Sequence, residues 1–122
     1  MKINDSLTEK IIACCFKVHS ELGPGFKEKI YQNALILALK KEELRYETEK
    51  EFAVFFQDKK VGSLKLDLII EDKVVVEIKS LAGNVPDVFK YQLLSYLKVS
   101  GLPVGLLINF GEKSCHVRRF VS

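Results

Sequence analysis

Two apolar runs, VGSLKLDLII (residues 61–70) and VVVEIKS (residues 74–80), are separated by only three polar residues, Glu71-Asp72-Lys73. Apolar and β-branched runs of this length, broken by so short a polar joint, make an antiparallel hairpin. Along a strand, side chains alternate between the two faces. Leu64, Leu66, Leu68 and Ile70 therefore share one wholly apolar face, and Lys65, Asp67 and Ile69 share the other. In the second run Val74, Val76 and Ile78 lie on the apolar face, and Val75, Glu77 and Lys79 lie opposite. The apolar faces must coincide, because a slip of one residue turns every side chain over. The three-residue joint then pairs Ile70 with Val74, and the same register sets Asp67 opposite Glu77. Directly opposed residues carry Cβ atoms about 4.5–5.5 Å apart. Two carboxylates thus meet on one face, with a lysine one step along.

The rest of the chain surrounds this hairpin. Leu7, Ile11, Cys14 or Cys15, Val18 and Leu22 recur at steps of three and four, an amphipathic helical period. Asp5 or Ser6 is positioned to cap its start, and Glu9, three residues after Ser6, completes a capping box. Gly23-Pro24-Gly25 stops this helix, and a second follows over roughly residues 26–44. RYETEKEFAVFFQ alternates as a strand and turns at QDKK. After VVVEIKS the period becomes helical again, with Asp87 near the start and Gly101 after the end. LPVGLLINF suits a buried strand and SCHVRRFV an edge strand. The order is ααβββαββ, an α/β chain with a central mixed β-sheet flanked by helices.

A length of 122 residues suits one domain, residues 1–122, around one core. With 48% hydrophobic and 29% charged residues the composition is that of a globular chain, not a disordered one. No apolar run approaches the ~18 residues of a membrane span. MKINDSLTEK lacks the apolar stretch of a signal peptide. A cytoplasmic protein without a membrane partner is therefore expected. The net charge of +3 permits a polyanionic partner without requiring one. Three cysteines without a C-x-x-C suggest neither a disulfide framework nor a zinc site, and Cys14 and Cys15 suit a helix core.

Like charges opposed across two strands repel, so Asp67 and Glu77 need a counter-charge. Lys65 or Lys79 supplies it in a structural ion-pair network, or a divalent cation does. Mg²⁺ is held by one or two carboxylates while it keeps waters and contacts phosphate. A lysine beside it then orients or deprotonates an attacking water, or offsets charge on the phosphorus centre. Spacing alone leaves both readings open.

Asp67, Glu77 and Lys79, D-x₉-E-x-K across a hairpin, resemble the PD-(D/E)-x-K nuclease superfamily. Gln92 and Tyr96, Q-x-x-x-Y on the following helix, resemble the extra motif of its RecB-like and lambda-exonuclease-like branch. Gly25, Glu28 and Tyr31, with LGPG and GLLINFG, resemble the small stand-alone GxxExxY proteins of that superfamily. The resemblance spans nearly the whole chain in the same motif order. It implies a restriction-endonuclease-like core and a Mg²⁺- or Mn²⁺-dependent nuclease that hydrolyses phosphodiester bonds of nucleic acid, DNA in the first instance.

By this resemblance Asp67 and Glu77 ligate the metal, with Glu28 and the carbonyl of Ile78 as further ligands. Lys79 is the catalytic lysine, and Gln92 and Tyr96 shape the site and contact substrate phosphate. Tyr31 and His19 are candidates to line the substrate site. The proline that names the motif is absent: Leu66 precedes Asp67, a position with no chemical role. The alternative is a catalytically inactive nucleic-acid- or protein-binding domain on a nuclease scaffold, since so short a chain has little outside its core to grip a substrate. A homodimer, which would help such a chain hold a duplex, is left open.

Overall fold

The hairpin read from the sequence is the middle of the sheet. In the computed structural model, which describes residues 5–122 (of Asp5 only the backbone), β1 (Tyr46–Phe56) and β2 (Lys59–Ile70) pair antiparallel. They are joined through Gln57 and Asp58, both with positive φ (48° and 65°), as a two-residue primed turn demands. β3 (Val74–Lys79) returns antiparallel to β2 with Ile70 opposite Val74, the expected register. α3 (Asp87–Ser100) then crosses over and delivers β4 (Val104–Asn109) parallel to β3. Gly101 ends α3 in the left-handed region (φ 73°) and its N–H donates to the Leu97 carbonyl at 2.9 Å. β5 (His116–Val121) closes the sheet antiparallel to β4, giving the order β1-β2-β3-β4-β5.

α1 (Asp5–Leu22) and α2 (Glu28–Lys41) cover one face of this mixed sheet and α3 covers the other. Because α1 already includes Asp5, Ser6 sits inside its first turn and is not the cap that was expected; the Asp5 side chain lies outside the described residues. No helix among the described residues is long and apolar enough to cross a membrane.

Under α1 and α2, Ile11, Cys15, Leu35 and Leu39 meet Leu68, Ile70, Val74, Val76, Leu106 and Ile108. Under α3 the core is smaller, with Leu93 and Leu97 on Leu66, Ile69, Val75 and Leu107. One expectation fails here. Leu64 and Leu66 do not share the face of Leu68 and Ile70; they pack on the α3 side. β1 behaves alike, with Tyr46 under the first two helices and Phe52 under α3, although six residues of regular alternation would keep them together.

The change of phase falls at one rung. Thr48 pairs with Leu68 and Lys50 with Leu66, while the Glu49–Asp67 rung between them is absent from the ladder. Glu49 there has left-handed backbone, φ 55°. Both strands turn over together at Asp67.

Candidate active site

The site forms where β2 and β3 part. β3 stays paired to β4 as far as Lys79 and Asn109, whereas its pairing to β2 ends at Leu68 and Val76. Asp67 and Glu77 are the next rung by register, without ladder bonds between them. The Lys73 and Lys79 carbonyls accept from Val104 and Phe110, so the odd-numbered backbone groups of β3 point toward β4. By alternation the Ile78 carbonyl points the other way, toward the β2 side.

On β3 the expected faces hold. Val74, Val76 and Ile78 enter the first core and Val75 the second, which leaves Glu77 and Lys79 on the α3 side. Their side chains are only 11% and 13% exposed. Lys79 Nζ lies 3.5 Å from Glu77 Oε1 and 3.9 Å from the centroid of the Phe89 ring. The ammonium is thus held between a carboxylate and the negative face of an aromatic ring. Burial pushes the Glu77 carboxyl above the usual carboxylate range. Lys79 opposes that shift, and the negative charges of Asp67 and Glu28 add to it. The Tyr96 hydroxyl is raised by burial and then by Glu77 and Asp67. Groups from α2, β2, β3 and α3 therefore share one local field. Gln92 is exposed one helical turn before Tyr96, on the same side of α3.

Glu28 is exposed in the first turn of α2, where the helix dipole favours a negative charge. One tie brings that turn to the end of β3, and Tyr31 closes the loop before it. Ser80 Oγ donates to the Phe26 carbonyl at 2.7 Å. The Tyr31 hydroxyl donates to the Gly23 carbonyl (2.6 Å) and accepts from the Phe26 N–H (3.2 Å), which folds the intervening loop back over α2. The Tyr31 ring is fully buried and stacked on Phe110 at 4.5 Å. His19 is buried too, its Nε2 donating to the Glu112 carbonyl at 2.8 Å. In this structure neither ring is open to a substrate; both brace the loops around the site.

The far side of the β3 exit is clasped by Asn109. Its Nδ2 donates to the Leu81 carbonyl (3.0 Å), while its Oδ1 accepts from the N–H groups of Leu81 (2.9 Å) and Gly111 (3.0 Å). A Cβ on Gly111 would collide with the Leu81 backbone, so the clasp requires glycine there. From sequence, LPVGLLINF read as a buried strand without a role for Asn109, and neither Ser80 nor Phe89 had a role. The available signal was an asparagine ending the buried run LLIN, since a buried amide must find partners.

Among the described residues, no group of three or more His, Cys, Asp or Glu side chains is gathered closely enough to hold a metal ion. The carboxylates of Glu28, Asp67 and Glu77 are oxygen donors of the kind a hard cation takes, but they are not gathered into such a group. Lys79 supplies the counter-charge of Glu77.

The match to known families covers all of these elements. A family model described as the PD-(D/E)XK nuclease superfamily matches residues 5–120. No curated protein and no solved structure matches the chain.

Proposed function

Because the chain belongs to the PD-(D/E)XK nuclease superfamily, we propose that it is a metal-dependent nuclease, a single domain that hydrolyses phosphodiester bonds of nucleic acid, DNA in the first instance. Fold alone does not decide chemistry. The observation that carries the reading is the half-buried Glu77–Lys79 pair in the field of Asp67 and Glu28.

In this reading Asp67, Glu77, Glu28 and the Ile78 carbonyl hold Mg²⁺ or Mn²⁺. When bound, such an ion polarises a phosphoryl oxygen and makes its water more acidic. The protein's own groups do the rest. Lys79, steadied by Phe89 and Glu77, orients the attacking water and offsets the negative charge that grows on the phosphoryl oxygens. The water oxygen bonds to phosphorus as the bond to the leaving sugar oxygen breaks. Tyr96, its hydroxyl kept protonated by burial and then by the nearby carboxylates, donates to a phosphate of the bound strand, and Gln92 contacts the same strand. Tyr31 and His19 act as posts that hold the loops before Glu28 and after Asn109.

The test is cleavage of labelled single- and double-stranded DNA and RNA by purified protein with Mn²⁺ or Mg²⁺. Cleavage is expected, stopped by EDTA and reduced about 10³-fold in Lys79→Ala, the scale of a positioned acid–base group. No cleavage with either metal, or cleavage indifferent to Lys79→Ala, overturns the reading. Two observations favour a second reading: Lys79 already engages the Glu77 carboxylate, and no closely gathered metal-binding group exists among the described residues. A catalytically inactive binding domain on this scaffold would hold nucleic acid in EDTA without turnover.

A further inference from the structure

Beyond Asp67 the β1–β2 hairpin leaves the sheet. β2 pairs with β3 only over residues 68–70, so among the described residues 59–66 have β1 as their sole strand partner. Phe52 and Leu64 still rest on the α3 core, but none of the described residues covers the tip. Phe55, Phe56 and Val61 are 63%, 64% and 62% exposed there, next to a ladder irregularity between Val54 and Phe55. Each ring has a lysine directly across the ribbon: Phe55 opposite Lys60, Phe56 opposite Lys59. Asp58 is the one acidic residue of the turn. At about 3.3 Å per residue, the tip stands roughly 25 Å along β2 from Asp67.

We propose that this arm grips an unpaired strand of nucleic acid, with Phe55 and Phe56 stacking on bases and Lys59 and Lys60 meeting the flanking phosphates. The proposal deepens the nuclease reading and takes its substrate class from it. Aromatic rings beside cations suit single strands, because every unpaired base offers a face and every linkage a charge. A duplex is a poorer fit, since its base faces are already stacked and a phenyl ring has no donor or acceptor for a groove edge. A second copy of the arm is a poorer fit as well, because two tips meeting would bring four lysines together.

The test is fluorescence anisotropy in EDTA with a labelled mixed-sequence oligonucleotide, offered as a single strand and as a blunt duplex. Wild type is expected to prefer the single strand. Phe55→Ala/Phe56→Ala weakens that binding about tenfold or more, with the salt dependence kept. Lys59→Gln/Lys60→Gln flattens the slope of log K against log salt by about 1.4. Equal binding to both forms, no binding to the single strand, or variants that bind like wild type overturn the proposal. So does a wild-type dimer that the double-alanine variant turns into a monomer in sedimentation, which gives the tip to a second copy.

Wild-type hydrolysis of bis(4-nitrophenyl) phosphate with Mn²⁺ separates the two ideas, because that diester is too small to reach the arm. If the diester resists while the arm effects hold, the nuclease reading falls and the arm stands. If the diester is cleaved while the arm variants bind normally, only the arm falls.

Discussion

Under α1 and α2 the sheet is dry, whereas under α3 it gives way to charge. Ile11, Leu35 and Leu39 are fully buried against Leu68, Ile70, Val74 and Leu106. On the opposite face Leu93 and Leu97 close over Ile69 and Val75, but the next positions along β3 are Glu77 and Lys79. The same six-residue strand serves both faces. Its even-numbered residues anchor it in the large core, and its odd-numbered ones pass from Val75 to the charged pair. Burying a carboxylate among like charges is costly. The packing that tolerates this cost lies on the other side of the sheet.

The largest effect that would break this contrast is in the dry core. Leu35→Ala is expected to cost about 3 kcal/mol, read by guanidinium unfolding. A loss under about 1 kcal/mol would mean that the core under α1 and α2 is not what supports the strand. Glu77→Gln should behave oppositely, because it removes a charge that burial and two carboxylates disfavour. Its stability at neutral pH is expected to stay within about 1 kcal/mol of wild type. A loss as large as that of Leu35→Ala would erase the difference between the faces.

A smaller and finer effect concerns pH. Burial, then the Asp67 and Glu28 charges, raise Glu77 in the folded protein against the pull of Lys79. The folded state therefore keeps the Glu77 proton to a higher pH than the unfolded chain. Its contribution to stability is present below the unfolded pKa and is lost as pH rises through the folded one. Carbon-13 NMR of the Glu77 carboxyl should show titration above the usual glutamate range, moved toward acid by Asp67→Asn. An ordinary titration, or one that ignores Asp67→Asn, would remove Glu77 from the shared field.

The hairpin register and the two faces of β3 were legible because they depend on two-residue alternation and a three-residue joint, both local. The turnover at Asp67 was not. Glu49 sits in an evenly alternating run, and nothing in its neighbours marks a residue with left-handed backbone. Tyr31 and His19 were singled out by the family resemblance, which does not tell a side chain that faces a substrate from one turned inward onto Phe110. Asn109 announced that it needed partners; that they lay on Leu81, 28 residues away in sequence, was beyond any local pattern.

Calorimetric titration of the protein with Mn²⁺ tests the central claim most directly. Wild type is expected to take up the ion with a heat that Asp67→Asn and Glu77→Gln lose and Phe55→Ala/Phe56→Ala keeps. No heat in wild type, or an equal heat in both carboxylate variants, would contradict a metal site between β2 and β3.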